Sequence, residues 1–407
     1  MQPWFKVCLM IGIGWWAPAG LAQIDPEKRS LIQLGYNQPL EETGPLAGYA
    51  YYYWNEPGLW RTNYTLRLVA APVFLDSELG IGHAFGEHTD LGIGLAGGGY
   101  AYGHSEVRSG DYLRAESFDG HGLEGSLSLY HRFNPDSQMP LNGILRVGLQ
   151  GSFYDRDSHT SPAFILPEDQ STFHLRTGLR WGGKEPTILP DLAGELSAWY
   201  EGQFRTEPGY YGLLRDRYLE SDSHLFWARG LLAYTLPQCQ HNFSLSLTLG
   251  TSASADRLSA YRLGGMMPMA SEFPLNLPGY YFQELSTSRF GLVEGQYLLP
   301  LDHGKHWYLM ANASSALVDY LPGFEQPGHW NSGVGGGICY RSPSRIWKVM
   351  LGYGYGINAI RGQDQGASEL GFLAQYDLEA HHRSRQEAEK PTLDPLKLRG
   401  FNRLFHR

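Results

Sequence analysis

The chain predicts an all-β protein: a transmembrane antiparallel β-barrel of about sixteen strands with a long sixth extracellular loop. Three observations predict it. Segment after segment alternates apolar residues with polar residues or glycine, the links between segments alternate long and short, and the composition is rich in glycine and aromatics. Of 407 residues, 51 are glycine, 26 tyrosine and 11 tryptophan, while charged residues make up only 18%. Beyond the N-terminus no apolar stretch reaches the roughly 18 residues a membrane helix needs. Apolar residues at 42% and aromatics at 14% exclude a disordered chain.

Residues 1–22 read as a secretory signal peptide cut after Ala22. Lys6 precedes an apolar stretch over 7–16, and small residues stand at Gly20 and Ala22. Removing Lys6 takes the net charge from −9 to −10. Cys8 leaves as well, so only Cys239 and Cys339 remain, too few for a disulfide framework. No Cys/His spacing suits structural zinc and no loop has calcium-site spacing, so neither a metal nor a cofactor is expected.

The strands read in order as 31–36, 45–54, 60–73, 77–85, 90–103, 119–133, 142–155 and 172–182. They continue as 191–205, 223–235, 240–253, 287–300, 306–317, 331–341, 345–359 and 367–379. In the seventh, Leu145, Val147, Leu149 and Phe153 alternate with Arg146, Gly148, Gln150 and Ser152. In the eleventh, Phe243, Leu245, Leu247 and Leu249 alternate with Ser244, Ser246, Thr248 and Gly250. In the fifteenth, Val349, Leu351, Tyr353, Tyr355 and Ile357 face away from Lys348, Gly352, Gly354 and Gly356. Successive strand side chains point to opposite faces, so each segment has one apolar face and one polar or glycine face.

A soluble sandwich also alternates, but two further features favour a barrel. The apolar faces end in Trp54, Trp60, Trp181, Trp307 and Trp347, as interfacial girdles require. From the fifth strand onward, long links (104–118, 156–171, 206–222, 254–286 and 318–330, only the last, 360–366, being short) alternate with short turns marked by Pro, Asn, Asp or Gly. Those turns lie at 134–136, 183–190, 236–237 and 341–343. Closure satisfies every backbone N–H and C=O in hydrocarbon, and about sixteen strands leave a bore too wide for side chains alone to fill.

The longest link carries a recognisable order of residues. Leu263-Gly264-Gly265 and then Leu277-Pro278-Gly279-Tyr280 resemble the loop signature of the outer-membrane assembly-barrel superfamily, the bacterial surface antigen domain of BamA, TamA and the two-partner secretion transporters. The strand that follows, with Gln296-Tyr297, is similar to the family's equivalent. So are the closing strands over 332–379, where Glu369, Gly371, Phe372 and Tyr376 resemble an assembly signal. The resemblance is specific over about 260–379 and rests on strand number elsewhere. It implies a loop that folds back into the lumen, and a role in inserting or passing proteins or lipids across the bacterial outer membrane.

Three departures qualify it. The family's loop arginine is replaced by Pro278, and the lumenal wall positions that would face it carry Gln296 and Asn312 in place of acids. Joint loss avoids leaving one charge buried and unpaired. It leaves a loop held by neutral hydrogen bonds and packing of Tyr280 and Tyr281, or one not held inside at all. Secondly, about eight residues separate Gln23 from the first strand, too few for the periplasmic POTRA modules of insertases. Thirdly, 381–407 extends past the last strand as a basic periplasmic tail of net +4, with the barrel assigned to 23–380. Leu398, Phe401, Leu404 and Phe405 lie on helical spacing there.

No catalytic machinery is legible. Lumenal His131 and His174 lack the neighbouring nucleophile and orienting group a hydrolase requires. The negative charge argues against nucleic acid. The expected surroundings are outer-membrane lipids and a possible periplasmic partner protein, with oligomeric state open. The function implied is insertion or translocation, and the alternative is a passive or selective pore. The short first strand suggests a poorly paired closing seam.

Overall fold

A computed structural model describes residues 24–100, 102–137, 139–182, 192–267, 273–362 and 364–389. Sixteen long strands, each antiparallel to its neighbours, form one sheet closed on itself. They are β1 (Arg29–Pro39), β2 (Ala47–Pro57), β3 (Tyr64–Ala71), β4 (Phe74–Ile81), β5 (Thr89–Gly98), β6 (Asp119–Arg132), β7 (Leu141–Asp155) and β8 (Gln170–Gly182). Then come β9 (Leu192–Arg205), β10 (Asp222–Thr235), β11 (Asn242–Ala253), β12 (Leu285–Pro300), β13 (Trp307–Tyr320), β14 (Trp330–Arg341), β15 (Trp347–Arg361) and β16 (Asp364–Asp377).

Closure is complete along the seam. β1 pairs with β16 from Leu31 opposite Asp377 to Pro39 opposite Glu369, without a register break. This corrects the expectation of a short, poorly paired first strand. Polar Gln33 and Asn37 continue the strand because they face a polar interior, where a lipid-facing position would reject them. The third and fourth strands also differ from expectation: they turn at 72–73, not in a gap over 74–76.

Alternation sorts side chains as the period requires. On β15, Leu351, Tyr353, Tyr355 and Ile357 are exposed outward, while Gly352, Gly354 and Gly356 face in and are buried. The same outward apolar face recurs on β7 and β11, forming the surface that bilayer hydrocarbon would cover. At the short-turn end Trp307 packs on Tyr340 at 4.7 Å and Trp347 on Tyr376 at 4.5 Å, part of an aromatic girdle.

The long links 99–118, 156–169, 206–221, 254–284 and 321–329 emerge at the opposite end. Phe164–Ile165, Gly209–Leu213 and Arg217–Leu219 build a separate three-stranded sheet there. Buried Phe118, Phe164, Tyr211 and Leu219 tie these loops into a dome over the bore.

After β16 the chain enters a helix, α1 (Leu378–Glu389), where Asp377 accepts the Ala380 N–H at 2.8 Å. The helix thus begins before the predicted tail boundary at 381. The segment 1–22 expected to be a signal peptide, the link expected over 183–190 and the part of the expected tail beyond 389 lie outside the described residues. Cys239 and Cys339 are both free, the first exposed and the second buried.

Candidate functional site

The sixth loop at the long-link end leaves β11, forms a short strand Tyr261–Leu263 against β12, and then turns into the bore. Two glycines make the turn. Gly264 and Gly265 have φ of +139° and +86°, and Gly265 bridges to Leu277, so the descending and returning limbs meet at their necks. Leu263, Leu277 and Tyr280 are wholly buried against Leu285, Leu292, Ala316 and Val318 of the wall.

The loop rests on the wall where side chains are smallest. Added Cβ atoms on Gly333 and Gly354 would meet Pro278, and one on Gly356 would meet the Tyr280 ring. One on Gly371 would lie 2.7 Å from Met267 Cγ. The inward glycines of β14, β15 and β16 therefore form a smooth seat for the loop. Gly279, at φ +84°, sits so close to β15 that its own Cβ would overlap the backbone N of Gly356.

Polar contacts fix the position. The Gly279 N–H donates to Glu369 Oε1 at 2.8 Å, and the Tyr280 hydroxyl donates to Asn331 Oδ1 at 3.2 Å. Glu369, read from the sequence as part of a closing-strand signal, is thus a carboxylate that receives the loop tip. Its neighbour Gly371 lies beneath Met267, Phe372 pairs across the seam with Tyr36, and Tyr376 belongs to the outer girdle.

The remaining wall residues lie elsewhere. Gln296 and Asn312 face each other in the β12–β13 register, and Gln296 Nε2 donates to Met310 Sδ at 3.3 Å. Asn312 Oδ1 is buried without a hydrogen-bond partner, against Gly335. The residue that meets Tyr280 is Asn331. Nor is the hold entirely neutral: Arg361 of β15 makes a two-point ion pair with Glu284 of the loop, at 3.1 and 2.9 Å. Arg361 also donates to the Gly279 carbonyl and lies 3.5 Å over the Tyr281 ring. The arginine is on the wall and the acid in the loop, the reverse of the pattern the resemblance implies.

Met266 and Met267, immediately after Gly264-Gly265, pack on Leu298, Tyr308, Met310, Cys339 and Leu373. The Met267 N–H donates to Asn37 Oδ1 at 3.0 Å. Because Asn37 stands opposite Gly371 in the β1–β16 register, Met267 straddles the seam. On the far side of the bore Phe273 enters a cage: Arg229 lies 4.8 Å and Arg176 5.7 Å from its ring, with Trp199 and Trp227 edge-on at 5.3 and 5.6 Å. The loop therefore crosses the lumen from β16 to β9.

Above it, Glu106 is fully buried in the dome. It takes His104 Nε2 at 2.8 Å, Arg108 Nε at 3.2 Å, Arg217 Nη1 at 3.7 Å, and Arg257 of the sixth loop. Burial opposes the Glu106 charge, but His104, Arg217 and Arg257 outweigh it and hold the carboxyl at about 2. Burial pushes His104 below its ordinary 6.5. One carboxylate thus joins three loops. Among the described residues no group of three His, Cys, Asp or Glu side chains is placed to hold a metal.

A lumen-crossing loop anchored on the closing strands of a sixteen-stranded barrel can be compared directly with known structures. CdiB from Acinetobacter baumannii superposes with a TM-score of 0.56 over 86% of this chain and 60% of that one, at 11% identity. BamA from Haemophilus ducreyi lacking POTRA domains 1–3 gives 0.54 over 85% and 70%, at 12% identity. CdiB from Escherichia coli gives 0.55 over 86% and 63%, at 10% identity. By fold, this is a BamA-like barrel. The chain spans about three fifths of the length of either CdiB chain. No protein-family model and no curated protein matches it in sequence.

Proposed function

We propose that the chain is an outer-membrane barrel that inserts or translocates protein or lipid, with the sixth loop as its moving part. The observation that carries this reading is Met267, hydrogen-bonded to Asn37 of β1 while packed over Gly371 of β16. A loop residue placed on both strands of the seam couples loop position to seam integrity. With the seam paired along its whole register, opening then requires the loop to let go. The apolar outer face, the aromatic girdle and the likeness to BamA and CdiB barrels support placement in the outer membrane.

No catalytic step is proposed for the chain. Its surroundings are outer-membrane lipids, and a periplasmic partner would supply client capture. A passive or selective pore is the second possibility left by the sequence. It fits less well, because the loop crosses the bore and the dome covers one end.

The test is reconstitution of the full chain in vesicles with an unfolded second barrel as client. Client folding that depends on this chain, together with a small and intermittent conductance in planar bilayers, is the expected result. A large steady conductance with no effect on the client would establish the pore instead.

A further inference from the structure

Between the sixth loop and the wall of β7, β8 and β9 lies a cavity of about 460 Å³, a volume typical of small-molecule sites. Among the described residues its lining contains no aspartate or glutamate, although the chain carries a net charge of −9. Three arginines line it, Arg205, Arg257 and Arg262. The acids that accompany them stand behind: Asp256 pairs with Arg205 and Glu106 with Arg257, and neither carboxylate lines the cavity. Both carboxylates thus lie outside the described lining while their arginines belong to it.

The rest of the lining is neutral and suited to hydroxyl groups. Gln170, Thr172, His174 and Gln203 come from the wall, and Asn276 and Gln283 from the loop. Gln170 is buried, donates to the Tyr154 hydroxyl at 3.2 Å, and leaves its Oε1 without a partner among the described residues. His174 Nε2 is likewise buried and unpartnered. A ligand donor or a water is what such atoms require. Aromatic rings of Tyr102, Tyr154 and Tyr261 complete the walls. Amides and hydroxyls beside aromatic rings suit a sugar, and guanidinium groups suit an anionic substituent on it.

We propose that this chamber binds a small anionic saccharide. It lies inside the wall and beneath the dome, so its occupant arrives from water and not as the headgroup of a bilayer lipid. The site stands apart from the seam, and the proposal does not depend on the insertion or translocation reading.

Titration calorimetry of the full chain in detergent tests it, with glucose 6-phosphate, glucose and inorganic phosphate as probes. Expected is saturable binding of glucose 6-phosphate, about tenfold or more tighter than either component alone. Gln170→Met and, separately, Thr172→Val should each weaken it by about tenfold. Each variant is first shown to be a folded barrel by its heat-dependent gel migration. No saturable heat with glucose 6-phosphate would overturn the proposal. So would equal affinity for glucose, or folded Gln170→Met and Thr172→Val proteins that both bind as the parent does.

Discussion

Arg361 on the barrel wall and Glu284 in the sixth loop form a two-point ion pair, buried on both sides, at 3.1 and 2.9 Å. Planar guanidinium-to-carboxylate geometry fixes orientation as well as distance. The Tyr281 ring beneath Arg361 and the Gly279 carbonyl beside it make the arginine the point where the returning limb of the loop is pinned. Removing one member leaves the other charge buried and unpaired.

Arg361→Ala should therefore destabilise the docked loop by about 3–5 kcal/mol. The expected readouts are a lower unfolding temperature and more frequent channel openings in planar bilayers. Glu284→Gln should act in the same direction, and the double reversal Arg361→Glu with Glu284→Arg should restore part of the loss. Unchanged openings in both single variants would show that the pair does not hold the loop.

Gly279→Ala probes the same seat without altering charge. The residue sits at positive φ, and a methyl there would strike β15. The tip must lift, losing the Gly279 N–H bond to Glu369 and the Tyr280 bond to Asn331. A cost of about 1–3 kcal/mol is expected from the overlap alone. Faster protease cleavage within 273–284 is the measurement. Cleavage as slow as in the parent would mean that the tip tolerates displacement or is not seated there.

Much of the barrel was legible because a period of two is written locally. Leu145, Val147 and Leu149 declare an outward face with no knowledge of their neighbours. The ends of β1 were less so: Gln38 and Pro39 read as a link, and only pairing with Leu370 and Glu369 makes them strand. The loop's order of Gly-Gly and Leu-Pro-Gly-Tyr was visible, but its partners were not. Tyr280 meets Asn331 51 positions away and Glu284 meets Arg361 77 positions away. Nothing local distinguishes an inward Asn that receives a loop from one that faces water. Asn37, Met266, Met267 and Phe273 were missed for the same reason. The neighbouring Gly264-Gly265 was the one signal close to the two methionines.

Acid should loosen the dome. Glu106 is held at about 2, below its ordinary 4.5, so its contribution is complete above 4.5 and is lost as pH falls toward 2. His104 is held below 6.5, so the folded dome also begins to lose ground as pH drops under that value. Both act in one direction. Cleavage of the loops 99–118 and 206–221 by an acid-active protease should accelerate from pH 6.5 downward, most steeply below 4.5. Glu106→Gln should raise cleavage at neutral pH by about tenfold or more, since a buried charge cluster loses its centre, and should flatten the profile below 4.5. A parent profile flat from pH 7 to 3 would contradict this arrangement.

The most direct test ties the loop to the seam. Met267→Cys and Gly371→Cys, with Cys239 and Cys339 replaced by serine and alanine, place two thiols where a Cβ on Gly371 lies 2.7 Å from Met267 Cγ, within reach of a disulfide. Client folding in vesicles is then compared under oxidising and reducing conditions. Expected are ready disulfide formation, loss of client folding while the bond is intact, and recovery on reduction. A bond that forms completely while client folding continues undiminished would contradict it.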